Sequence, residues 1–138
     1  NGLIKMHLDG VLVGGPDGIL YPALWECKSM KDKKWKTCVK EGVAKSHPTY
    51  YAQIQVYQAY SNLMENPAIL TCINKDTQEL HHEAVPFSPQ HAQEISDKGA
   101  RIIMACQAGD LLPRIANQPD HFECKWCSYS EWCWSLPR

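Results

Sequence analysis

The sequence lacks any apolar run approaching the length of a membrane span, which sets a transmembrane helix aside. It opens without the basic, apolar and small-residue succession of a secretory leader. No internal repeat or low-complexity tract appears, so a solenoid or a disordered linker is not indicated. Charge of one sign is also missing: 14 basic residues face 15 acidic ones, and a net charge of −1 argues neither for nor against a nucleic-acid partner. Seven cysteines cannot pair completely, and without a leader they point to a reducing, intracellular setting with metal-binding thiols rather than a disulfide framework. The chain begins at Asn1 and not at Met, so we expect an upstream segment to be missing.

What remains is a chain of 138 residues, 44% apolar and 21% charged, the profile of one globular domain spanning 1–138 with a cysteine-rich tail over 119–138. Its organising stretch runs from Asp9 to Lys28. Residues 3–13 (LIKMHLDGVLV) and 23–30 (ALWECKSM) read as strands, and GGPDG between them is strong turn punctuation. Alternation along a strand places Glu26 and Lys28 on one face, and Asp9 on the neighbouring strand can reach it. Two carboxylates and a lysine at one point suit metal-assisted hydrolysis. Carboxylates hold a hard divalent cation, and a lysine orients water or neutralises a phosphate. The plainer reading is the solvated face of an amphipathic strand.

Seven of the 14 basic residues fall within 18 positions, from Lys28 to Lys45. Lys31, Lys33, Lys34 and Lys36, with Trp35 among them, form a run suited to a phosphate backbone, or simply a solvated loop or short helix over 31–46. A helix is predicted from about Pro48 to Glu65, with Ile54, Tyr57, Ser61 and Met64 on one face. AILTCIN and ELHHEAVPF predict two further strands around a turn at NKDTQ. Ser88-Pro89 opens a helix carrying Ile95, Ile102, Ile103 and Cys106 and ending near Gly109. Strand, strand, helix, strand, strand, helix is a mixed α/β pattern. Cys27, Cys72 and Cys106 sit in apolar patterns and are expected to be buried thiols.

The motifs in this order resemble those of the PD-(D/E)XK nuclease superfamily, with Asp9-Gly10 as the first half and Glu26-Cys27-Lys28 as the second. Gln53-Ile54-Gln55-Val56-Tyr57 is similar to the Gln-x-x-x-Tyr motif of RecB-like members. Pro48-x-x-Tyr51 leading into Ala52-Gln53-x-Gln55 resembles the lambda exonuclease and YqaJ recombinase group. The resemblance implies a restriction-endonuclease-like α/β core, a small mixed sheet flanked by helices, and Mg²⁺- or Mn²⁺-dependent hydrolysis of DNA phosphodiesters. Asp9, Glu26 and the backbone carbonyl of Cys27 would then hold the metal, with His7 as a further ligand candidate. Lys28 would position or activate water, and Gln53 and Tyr57 would support Lys28 or the phosphate. An upstream helix bearing a Glu or His is also usual in the family.

The tail, HFECKWCSYSEWCW, places Cys124, Cys127 and Cys133 among Trp126, Tyr129, Trp132 and Trp134. Thiolates at this density bind Zn²⁺ or an iron–sulfur cluster. The tail resembles the closing three-cysteine motif of iron–sulfur nucleases, whose fourth cysteine lies upstream. In this chain the fourth ligand would be His121, Cys38 or a residue before Asn1. The expected activity is an exonuclease of recombination, repair or end processing in a bacterial or phage-infected cell. It would act as a homo-oligomer or with a recombination or replication partner. A sequence-independent endonuclease and a non-catalytic nucleic-acid-binding zinc or iron–sulfur module are the alternatives.

Overall fold

The computed structural model describes residues 5–15 and 17–137. The chain divides into two compact units, Asn1–Arg101 and Ile102–Arg138. The first holds a four-stranded mixed sheet in the order β1-β2-β3-β4, from β1 (Gly10–Leu12), β2 (Ala23–Met30), β3 (Ala68–Asn74) and β4 (Leu80–Val85). β1 and β4 pair antiparallel with their neighbours, whereas β2 and β3 run parallel. A parallel pair requires a long crossover. Helices α1 (Asp32–Glu41), α2 (Val43–Ser46) and α3 (Pro48–Tyr60) supply it. The mixed α/β architecture expected from the motif order is present.

Alternation along the strands sorts the sheet into two faces. Leu24, Met30, Ala68, Leu70, Cys72 and Val85 face the helices and join Cys38, Val43 and Ile54 in one buried core. On the other face the Trp25 indole N–H donates to Thr71 Oγ1 at 2.8 Å, and Thr71 Oγ1 lies 3.0 Å from His82 Nδ1. Gly10 packs closely there: a Cβ on it would lie 3.1 Å from Cε3 of the Trp25 ring, so the ring would have to shift slightly.

Several boundaries depart from the sequence reading. The first strand is three residues long and not eleven: Lys5–Leu8 are irregular and Asp9 is a bend. Leu3 and Ile4 of that expected strand, and Pro16 of the expected turn, lie outside the described residues. The 31–46 segment is the helix pair α1–α2. Its turn at Gly42 has φ +75°, and the Glu83 carboxylate accepts from Val43 N–H there at 2.9 and 3.1 Å. α3 stops at Tyr60, short of Glu65. Asn62 turns left-handed, Leu63 N–H donates to Gln58 O at 2.9 Å, and Asn62 N–H donates to Ala59 O at 3.4 Å, the hydrogen bonds of a Schellman cap. The buried Gln58 side chain fastens that cap by donating to Leu63 O and Asn66 O.

Helix α4 (Pro89–Ala108) matches its prediction at both ends. Ser88 Oγ accepts from His91 N–H, and Gly109 leaves the helix at φ +75°. The unit boundary falls within this helix. The second unit also holds α5 (Phe122–Lys125) and α6 (Ser130–Ser135). Cys106 is exposed and Cys27 half-buried, so only Cys72 of the three thiols expected in the interior is buried.

Candidate functional site

The site is built on the second half of β2, beyond the end of β1. Glu26 points to the helix-covered face and is 1% exposed. Its Oε1 accepts a hydrogen bond from Lys28 Nζ, which is also its ion-pair partner. The two residues share a face because they are two apart on a strand, as their spacing predicts. The second carboxylate oxygen, Oε2, is buried with no hydrogen-bond partner. A buried acceptor left unmet costs on the order of 1–3 kcal/mol, and more when charged. Glu26 Oε2 is such a buried acceptor, without a hydrogen-bond partner among the described residues.

Asp9 reaches the same place from outside the sheet. Its Oδ2 accepts from the Cys27 backbone N–H at 2.8 Å, taking the hydrogen bond that a continued β1 would have made. The N–H and C=O of a strand residue point to the same edge, so the Cys27 carbonyl turns toward Asp9 as well. One strand end and one bend thus bring Asp9 to the Cys27 backbone, next in sequence to Glu26. Asp9, Glu26 and the Cys27 carbonyl are oxygen donors only, with one buried oxygen unpaired, and they fit a hard divalent cation. Mg²⁺ commonly takes one or two protein carboxylates and completes its shell with water and phosphate. Among the described residues, no group of three or more His, Cys, Asp or Glu side chains is placed to hold a metal ion. The strand-alternation argument for His7 fails, because residues 7–9 are not in a strand; His7 is exposed.

Lys28 is held on three sides. Partial burial works against its ammonium. The hydrogen bond it donates to Glu26 and the charges of Glu26, Asp9 and Tyr50 together outweigh burial and raise its pKa above the ordinary lysine range. Its Nζ lies 5.2 Å from the centre of the Tyr50 ring. The Tyr50 ring in turn stacks on His47, with centroids 5.4 Å apart and planes 3° from parallel. Ser46 Oγ donates its one proton to Gly42 O at 2.6 Å, so it accepts from His47 Nδ1–H at 2.8 Å. His47 is therefore protonated at Nδ1. Burial first, and the Lys34 charge second, lower its pKa and favour this neutral form.

Gln53 and Tyr57 lie on the same helix, but they bond to each other, with Gln53 Nε2 donating to Tyr57 OH at 3.1 Å. Among the described residues neither is hydrogen-bonded to Lys28. Tyr57 packs against the core. Gln55, from the same motif, is fully buried and ties α3 to the chain before α4, accepting from Ser88 N–H and donating to Pro86 O. Tyr50 is the site neighbour that the motif reading passed over. The available signal was its distance of one helical turn from Gln53.

The lysine run lies on the outer side of α1. Lys31, Lys33 and Lys34 are exposed, while Lys36 is already paired with Asp32 at 2.8 Å. Trp35 turns inward: its indole N–H donates to Cys72 O at 3.1 Å, and its ring meets His81 edge-on. Cys38 lies in the core with its sulfur 3.8 Å from that of Cys72. Burial first, and Cys38 next, push the Cys72 thiol up to about 12, which removes it as a nucleophile or metal ligand at neutral pH.

In the second unit, Cys124, Cys127 and Cys133 line one cavity of about 180 Å³, together with Arg114 and Trp134. The Arg114 guanidinium donates to Cys133 O and Leu136 O and lies 4.5 Å over the Trp134 ring. His121 does not line this cavity; its Nδ1 accepts from Glu123 N–H at the start of α5. No protein-family model, curated protein or solved structure matches the chain. Among the described residues, no helix is long and apolar enough to cross a membrane.

Proposed function

We propose that the chain is a PD-(D/E)XK-type nuclease domain of the RecB-like group that hydrolyses DNA phosphodiesters with Mg²⁺ or Mn²⁺, acting as an exonuclease in recombination or end processing. The observation that carries this reading is the buried Glu26, bound to Lys28 through one oxygen, unpaired at the other, and set beside Asp9 at the free edge of β2. A restriction-endonuclease-like core is part of the proposal. The antiparallel β1–β2 pair, the helical crossover and the parallel β2–β3 pair support it.

A bound divalent cation polarises the phosphate and lowers the pKa of its water. Asp9, Glu26 Oε2 and the Cys27 carbonyl would hold it. Lys28, kept protonated by its neighbours, donates to a water or to a phosphate oxygen and offsets the charge that builds up there. Gln53 and Tyr57 brace the helix face behind it. The exposed Lys31, Lys33 and Lys34 attract the backbone without reading bases, which suits cutting without sequence preference. The preference for ends comes from the resemblance to end-processing enzymes.

The test incubates linear single-stranded, linear duplex and closed circular DNA with Mg²⁺, Mn²⁺ or EDTA, beside the Lys28→Ala variant. Metal-dependent loss of linear DNA that spares the circle and disappears in Lys28→Ala supports the exonuclease. Cutting of the circle makes it an endonuclease. A folded protein that binds DNA and cuts none under any metal overturns the enzyme in favour of a nucleic-acid-binding module. For the tail, three thiols around one cavity favour a zinc or iron–sulfur site. A brown absorption band, or one zinc per chain by elemental analysis, distinguishes the two.

A further inference from the structure

Lys28 must stay in place when Glu26 turns its charge toward a metal. In the structure that charge belongs to the ion pair. A lysine has four rotatable bonds, and without a second hold its head would leave the site for water. The second hold is Tyr50, whose ring centre is 5.2 Å from Nζ. An ammonium over an aromatic face is attracted by the ring quadrupole, and this attraction, unlike that of Glu26, does not change when a cation arrives.

Tyr50 is itself fixed from behind. Its ring lies parallel to His47, 5.4 Å away. His47 donates to Ser46 Oγ, Ser46 donates to Gly42 O, and Val43, the residue after Gly42, is capped by Glu83. The Tyr50 N–H also donates to His47 O at 2.9 Å. The ring is thus anchored through α2 to β4, on the far side of the sheet from β1. Tyr51, the adjacent aromatic, turns instead to His91, with ring centres 4.9 Å apart.

Resting on the nuclease reading, we propose that Tyr50 is the positioning residue for Lys28. Its π face, oriented by the His47 stack, holds the ammonium at the reacting phosphate independently of Glu26.

Three variants and two readouts test it. Tyr50→Leu should lower kcat about tenfold with KM nearly unchanged, the loss expected for one partly desolvated cation–π contact. Tyr50→Phe, which keeps the ring, should cleave at the parent rate. His47→Ala should fall between them. The second readout needs no activity: lysines are reductively methylated with ¹³C, and Lys28→Arg assigns the Lys28 resonance. The aromatic ring current should displace that resonance in the parent and in Tyr50→Phe, and the displacement should vanish in Tyr50→Leu. The proposal is overturned if Tyr50→Leu keeps the parent kcat, if Tyr50→Phe is as slow as Tyr50→Leu, or if the resonance is not displaced. Should the parent cut no DNA with any metal, the nuclease reading falls, and the methyl resonance still decides whether Tyr50 holds Lys28.

Discussion

The β2 site and the cysteine cavity were equally visible as short motifs, yet the two are built in opposite ways. At β2 the backbone sets the geometry. Period-two alternation puts Glu26 and Lys28 on one face, and the missing continuation of β1 opens an edge that Asp9 fills. Lys28 there is held both by the Glu26 carboxylate and by the Tyr50 ring. In the tail, two helices of four and six residues carry Cys124 and Cys133, with Cys127 between them, and both helices are too short to be stable alone. Phe122, Trp126, Tyr129 and Trp132 are all exposed, Trp126 at 83%. A motif on a paired strand has its shape already. A motif on short helices takes its shape from side-chain contacts such as those of Arg114 with Cys133 O and Leu136 O.

The largest effect that tests this contrast is on activity. Lys28→Ala should slow cleavage at least roughly a hundredfold, the scale of removing one preorganised donor from a developing charge. Steady-state rates on linear duplex check it. The same change strands the buried Glu26 and should lower stability by about 3 kcal/mol, read by urea unfolding, whereas Glu26→Gln, which removes the charge, should cost less. If both variants unfold alike, the ion pair is not what organises β2.

On the proposal that the tail binds zinc or an iron–sulfur cluster, Cys124→Ser, Cys127→Ser and Cys133→Ser should each lower the metal content measured by elemental analysis. Metal retained in any one of them removes that thiol from the site. A packing comparison follows. Leu70→Ala, at a fully buried position, should cost about 3 kcal/mol. Trp132→Ala, at a position 57% exposed, should cost less than about 0.5 kcal/mol in the metal-free protein. Equal losses would erase the distinction between a packed and an open region.

The smallest effect is from pH. Burial and Lys34 depress the His47 pKa in the folded chain, so between that value and the unfolded value of about 6.5 the unfolded state binds more protons. Stability should rise with pH through this window and level off above it. Urea midpoints at pH 5 and 7.5 measure the slope, and His47→Gln should lose its share of it.

The sequence disclosed whatever depends on local period and local chemistry. The β3 prediction, AILTCIN, coincides with Ala68–Asn74, and the cap at Ser88 and the exit at Gly109 mark α4 to the residue. Helix composition continued past Tyr60, so the stop at Asn62 went unseen; it depends on Gln58 reaching the turn after it. Asp9 was placed at the site for the wrong local reason, since it arrives on a bend and not along a strand. Tyr50 could not be told from Tyr51, because only the phase of α3 against β2 sends one ring to Lys28 and the other to His91. Likewise Glu83 capping α2 joins residues that no short window contains.

The parallel pairing of β2 with β3 has a consequence in time. The β1–β2 pair is local and can form early, but Glu26 lies opposite Leu70, on the far side of α1, α2 and α3. Contacts that distant form only after the intervening loop closes, which slows them. During synthesis the Glu26–Lys28 pair would therefore sit in water until β3 has emerged and docked. A nascent chain arrested before Ala68 should show no protection of β2 amides from hydrogen exchange, and one arrested well beyond Asn74 should show it.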